Sequence, residues 1–132
     1  MDTLKIIKTI IIDDSKKSVQ NLSFQFKTFF PDIDLIGNTN SFIDGIQMIK
    51  TYKPKLLLID FLLSGLNGNN QLKTIIGFNI PIIFLSNDNK HAQAAIKYSP
   101  VDYLIKPVLL ADLKFAIEKV RKQKKTNNKF NN

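Results

Sequence analysis

A chain of 132 residues with 44% hydrophobic side chains can build one real core but not two ordinary domains, and no apolar run approaches the roughly 20 residues of a bilayer span. The absence of cysteine excludes disulfides, thiolate metal sites and cysteine catalysis. The net charge of +8 is concentrated at one end: Lys119, Arg121, Lys122, Lys124, Lys125 and Lys129 are six of the 19 basic residues, leaving 13 to face 11 acids, so the body is not a basic nucleic-acid-binding domain.

In chain order, "IIKTIIID" reads as a strand buried on both faces, because a β-branched apolar run of this length has no polar side to give to water. It must stop where carboxylates begin, which places Asp13 and Asp14 at its carboxyl end. Two adjacent like charges are tolerated when solvated or when a cation neutralises them, so this step is either a polar turn or a cation site. From Ser15 to Phe30, Val19, Leu22, Phe26 and Phe29 recur at helical spacing, and Pro31 ends the helix. "DIDLIG" is a short strand. Asn40 or Ser41 then caps a helix carrying Ile46 and Ile49, and "YKP" breaks it before the strand "KLLLID".

The pattern repeats. "NGNNQLKTIIGF" gives a turn and short helix, "IPIIFLS" a buried strand, and "NDNKHAQAAIKY" a weakly patterned helix with Ala92, Ala95 and Ile96 as its apolar anchors. "VDYLI" is the last strand, and a final helix runs from Leu110 to Val120 with Leu110, Leu113, Ala116, Ile117 and Val120 on one face and Phe115 nearly opposite. The closing "KVRKQKKTNNKFNN" loses its apolar period and reads as a frayed helix end entering a linker; a phosphate-binding arm is the alternative. Five strands alternating with five helices make a parallel sheet covered on both faces, since each parallel connection needs a crossover. Ligands of such sheets bind at the carboxyl ends of the strands. The residues there are Asp13 and Asp14, then Asp60, Ser86 and Lys106.

An Asp-Asp pair after strand one, Asp ending strand three, Ser ending strand four and Lys-Pro ending strand five resembles the receiver domains of two-component response regulators, from about Lys5 to Val120. "DFLLSGLNG" is similar to the family's loop after the phosphoacceptor, with Asn67-Gly68 where Asp-Gly is common. "VDYLIKP" resembles the closing strand of receivers fused to LytTR-type DNA-binding domains. The resemblance implies a doubly wound, flavodoxin- or CheY-like α/β fold with strand order 2-1-3-4-5, a receiver over residues 1–120, and a basic tail or linker over 121–132.

The same resemblance implies roles. Asp60 would accept a phosphoryl group from the phosphohistidine of a sensor kinase or phosphotransfer protein. Asp13, Asp14, Asp60 and the backbone carbonyl of Leu62 would hold Mg²⁺, whose preference for hard oxygen donors suits the set. Lys106 would pair with Asp60 at rest and with the phosphate afterwards, aimed by a cis peptide at Pro107. Ser86 would swing toward the phosphate, Tyr103 would turn inward, and the face of helix four, strand five and helix five, with Phe115, would serve a homodimer or an output domain. This makes the chain a cytoplasmic signalling domain rather than an enzyme, without membrane contact and reaching DNA only through an output domain outside these residues. Whether it stands alone or fronts a transcription regulator stays open.

Simpler readings stand beside these. Asp60 could be a helix cap, Ser86 could be a turn residue with Asn87 and Asp88, Lys106 could open a plain loop, and the lone His91 reads as a surface residue. Some positions depart from the family: Leu63-Ser64 replaces Met-Pro, which implies a looser loop, and apolar Leu62 stands where polar residues place attacking water, leaving Asp88 as the nearest carboxylate for that task. "YSPVDY" replaces the commoner Gly-Ala, and Leu109 stands at the expected helix cap. A dehalogenase-type phosphatase would need Asp-x-Asp after the first strand, where this chain has adjacent aspartates followed by Ser15-Lys16, and no phosphate-binding glycine motif is present. The remaining rival is a receiver fold used as a docking module without phosphorylation.

Overall fold

The computed structural model describes residues 5–64 and 70–130, with side chains of 5–63 and 70–123. Five strands, β1 (Ile7–Ile12), β2 (Ile33–Thr39), β3 (Leu56–Asp60), β4 (Ile82–Ser86) and β5 (Asp102–Ile105), form one parallel sheet in the order β2-β1-β3-β4-β5. Between and after them run α1 (Lys16–Phe29), α2 (Phe42–Tyr52), α3 (Asn70–Ile76), α4 (Ala92–Ile96) and α5 (Leu110–Phe130), with a 3₁₀ turn at Phe61–Ser64. The sequence-based strand order and layer plan hold. Among the described residues, no helix is long and apolar enough to cross a membrane.

The period-2 alternation of the strands divides the core in two. Ile7, Ile11, Leu58, Ile83 and Leu85 face α1 and α5, where Leu22, Phe26, Leu113, Ile117 and Val120 meet them. Ile10, Ile12, Leu57, Ile59 and Phe84 face the other layer, with Ile49 of α2, Leu72 and Ile75 of α3 and Ala95 of α4. Both faces of the central strands are thus buried, which is why they read as unbroken apolar runs. Each such side chain contributes roughly 1.5–3 kcal/mol of transfer free energy.

Local signals set the element ends. Ser15 caps α1 by accepting the Ser18 N–H, and Ser41, rather than Asn40, caps α2 by accepting that of Asp44. Gly45 brings α2 against β1 just below the acidic pair: a Cβ there would lie 2.6 Å from Ile12 Cδ1. Ser99, at the departure from Gly-Ala, has φ 52°, the left-handed region that favours glycine.

Three expectations are corrected. Phe29 is 47% exposed and Phe30 takes the core position, because the helix ends at Phe29 and the chain turns inward there. Ile96 is 71% exposed, so the five-residue α4 is anchored by Ala94, Ala95 and Tyr98. The helix expected to end at Val120 continues to Phe130, since Lys, Arg and Gln are good helix formers and no Gly or Pro interrupts them. The Asn67-Gly68 pair lies outside the described residues.

Candidate functional site

Strand register sets the site. Ile12 pairs with Ile59, so Asp13 follows at the level of Asp60; Asp60 pairs with Leu85, and Ser86 with Ile105, so Ser86 and Lys106 complete the same rim. Asp13 and Asp60 are buried, whereas Asp14 is exposed. One carboxylate oxygen from each of the three lies within 4.8 Å of the others.

Backbone groups orient the acids before any ligand arrives. Asp13 donates its N–H to the Thr39 carbonyl at 2.9 Å, and its Oδ1 accepts the Ser15 N–H at 2.9 Å. Asp60 Oδ1 accepts the Leu62 N–H at 3.0 Å, which folds the 3₁₀ turn back over the carboxylate. The remaining oxygens face Lys106, whose Nζ lies 2.8 Å from Asp13 Oδ2 and 2.9 Å from Asp60 Oδ2. Burial alone would push this ammonium down, but the hydrogen bonds it donates to Asp13 and Asp60 and their negative charge outweigh it and hold Lys106 above the usual lysine value. One cation therefore serves two buried carboxylates. Sequence reasoning paired Lys106 with Asp60 alone.

Lys106 is itself positioned from β4: its N–H donates to the Ser86 carbonyl at 2.7 Å, and the Lys106–Pro107 peptide is cis. Ser86 is buried at the end of β4, with the Asp88 N–H at 3.5 Å from its Oγ. The Tyr103 ring packs into the second core layer, edge-on to Phe61 at 6.5 Å between centroids, and its hydroxyl donates to the Asp88 carbonyl at 2.9 Å. Tyr103 thus already stands inward, tied to the loop after Ser86. Asp88 turns its carboxylate to the Lys90 N–H at 2.9 Å. Leu62 is 38% exposed beside Asp60, and His91 lies near Phe61 at the start of α4.

Phe115 does not join this cluster. It stands on α5, 70% exposed, with Lys119 Nζ 5.3 Å from its ring centre and bridged at 2.9 Å to Asp102. Two polar groupings escaped sequence reasoning. Asn21 and Gln25 of α1 reach the Val108 carbonyl, and Arg121 forms a two-pronged pair with Asp32 at 2.8 Å on each arm. The one available signal was Gln25 itself, a polar residue on the apolar face of α1.

The donor set fits a hard divalent cation. It consists of carboxylate oxygens, one each from Asp13, Asp14 and Asp60, all within 4.8 Å of one another. Such a site can hold a metal beside a carboxylate that is also paired with a lysine.

A family model described as the response regulator receiver domain matches residues 9–118. The transcriptional regulatory protein BtsR of Escherichia coli (strain K12) is 26% identical over 120 residues, covering 90% of this chain and 50% of that protein. The transcriptional regulatory protein CitB of Klebsiella pneumoniae is 28% identical over 117 residues, covering 86% and 50%. This chain spans about half the length of the curated relatives it matches. Among solved structures, the signal receiver domain of a modulated diguanylate cyclase from Desulfovibrio desulfuricans G20 superposes with a TM-score of 0.77 at 25% identity, covering 93% of this chain and 99% of that one. The chain belongs to the response regulator receiver domain family of two-component signalling.

Proposed function

We propose that Asp60 is the phosphoacceptor and that Lys106, Ser86, Asp13 and Asp14 are its working partners. The observation that carries this reading is the single ammonium held between Asp13 and Asp60 at the carboxyl edge of the sheet. In the reaction, an Asp60 oxygen attacks the phosphorus of a phosphohistidine on a sensor kinase or phosphotransfer protein; the N–P bond breaks as the O–P bond forms, giving an acyl phosphate. The Leu62 N–H fixes one Asp60 oxygen and so orients the carboxylate for attack. Lys106 offsets the Asp60 charge at rest and is placed to pair with a phosphoryl oxygen afterwards.

Asp13, Asp14, Asp60 and the Leu62 carbonyl would hold Mg²⁺, which when bound spreads the charge of the transferring group. Ser86 then offers its hydroxyl to the phosphate, and the Asp88 carbonyl that holds Tyr103 moves with that loop. This alters the face of α4, β5 and α5, where Ile96, Ile105 and Phe115 are exposed, a surface for self-association or for an output domain. The domain is a cytoplasmic signalling module that phosphorylates and dephosphorylates itself and turns over no other substrate. The relatives are transcriptional regulators with about half their length outside the match, which supports DNA control through an output domain beyond these residues; "VDYLIKP" favours the LytTR type. Residues 1–120 form the receiver and 121–132 its basic extension.

Treating the acetyl phosphate-modified protein with borohydride reduces an aspartyl phosphate to homoserine, which peptide mass mapping locates. Homoserine at position 60 is the expected product. Homoserine elsewhere moves the phosphoacceptor to that residue, and none favours the docking module that works without phosphorylation.

A further inference from the structure

Gln25 is almost wholly buried on the α1 face that carries Leu22 and Phe26. An uncharged amide in an apolar layer is costly unless its groups are satisfied, yet Gln25 Oε1 has no hydrogen-bond partner among the described residues. Its other end is fully used. Nε2 donates to the Val108 carbonyl at 2.7 Å and to Asn21 Oδ1 at 3.1 Å, while Asn21 Nδ2 donates to the same carbonyl at 3.2 Å. Two amides one helical turn apart thus converge on one backbone oxygen more than 80 residues away in the chain.

That oxygen lies two residues after Lys106. The Val108 side chain is buried in the core, and α5 begins at Leu110. The segment from Lys106 to Val108 is therefore held at both ends, by the Ser86 carbonyl on the Lys106 N–H and by the α1 amides on the Val108 carbonyl. Asn21, Lys106, Pro107 and Val108 also line a cleft of about 220 Å³ with Ser15 and Asn87, so the segment borders open space and is held by the clamp rather than by packing alone. A flexible lysine stem aims its ammonium no better than its backbone is fixed. We propose that Gln25, supported by Asn21, is a positioning residue for phosphoryl transfer: it fixes the Val108 carbonyl and thereby sets Lys106 Nζ between Asp13 and Asp60. The proposal rests on Asp60 being the phosphoacceptor.

The test measures the initial rate of phosphorylation by acetyl phosphate and Mg²⁺ for wild type, Gln25→Met and Asn21→Ala, each also in a Lys106→Met background. Met matches the bulk of Gln and lacks the donor; Asn21 is only half-buried, so its truncation spares the core. Gln25→Met is expected to slow the reaction about tenfold and Asn21→Ala about threefold, and both effects should vanish without Lys106, because residues acting through one group are not additive. Equal slowing in both backgrounds, or no slowing in either, overturns the proposal. A second readout needs no phosphorylation: the two Lys106 Hε protons should give separate NMR signals in wild type, as an immobilised stem does, and merge in Gln25→Met. If wild type is not phosphorylated on Asp60 but the signals merge, the clamp stands and the phosphoacceptor reading falls. Signals that stay separate in Gln25→Met overturn the clamp whatever the rates.

Discussion

Lys106 Nζ stands 2.8 Å from Asp13 Oδ2, so the cation paired with Asp60 is also paired with a residue of the candidate metal set. A Mg²⁺ ion held by this set would therefore compete with the ammonium for Asp13. Lys106→Met should tighten Mg²⁺ binding by about tenfold in a calorimetric titration while slowing phosphorylation. Asp13→Asn and Asp14→Asn should weaken binding without unfolding the domain. Unchanged or weaker Mg²⁺ affinity in Lys106→Met would show that the two cations do not share the acid.

Asp32 and Arg121 give the fold an acid-sensitive fastening. Hydrogen bonds from Arg121 hold the Asp32 carboxyl below its ordinary value of 3.8, against the opposing effect of burial. A depressed carboxyl contributes stability above its unfolded value, and that contribution is lost as pH falls through the folded one. Arg121→Met should cost about 1–2 kcal/mol at pH 7, discounted because the guanidinium is partly exposed. Urea unfolding should show the gap between wild type and Asp32→Asn closing as pH falls below the carboxylate range. A constant gap would place the stability elsewhere.

On the proposal that Asp60 accepts the phosphoryl group, Leu62 would bear on how long the acyl phosphate lasts. Its side chain is exposed beside Asp60, and the nearby Asp88 carboxylate is engaged by the Lys90 N–H. An apolar side chain cannot hydrogen-bond an attacking water, so Leu62→Asn should shorten the lifetime of the acyl phosphate by about fivefold in a time course of phosphate release. An equal or longer lifetime would count against this account.

The α5 face offers a separate test. Phe115 lies exposed under Lys119, which is bridged to Asp102 at the start of β5. Sedimentation with beryllofluoride and Mg²⁺ should show self-association in wild type and little in Phe115→Ser. Association that ignores activation, or that survives the substitution, would move the interface elsewhere.

The sheet was legible in sequence because burial on both faces leaves apolar runs such as Leu56–Ile59 with no polar break, and the rim residues were legible because each ends such a run. The Gln25–Val108 and Asp32–Arg121 contacts were not, since 83 and 89 residues separate the partners and no local period marks them. Phe29 and Phe30 are adjacent, and periodicity alone could not say where the helix would release the chain. The outward Phe115 was legible because a clean apolar stripe on α5 leaves its opposite side defined.

On the proposed function, Asp60 alone carries the phosphoryl group. Intact-mass measurement of wild type and Asp60→Asn after incubation with acetyl phosphate and Mg²⁺ tests it most directly. The account predicts a gain of one phosphoryl group in wild type and none in the variant; equal gain in both proteins, or none in either, would contradict it.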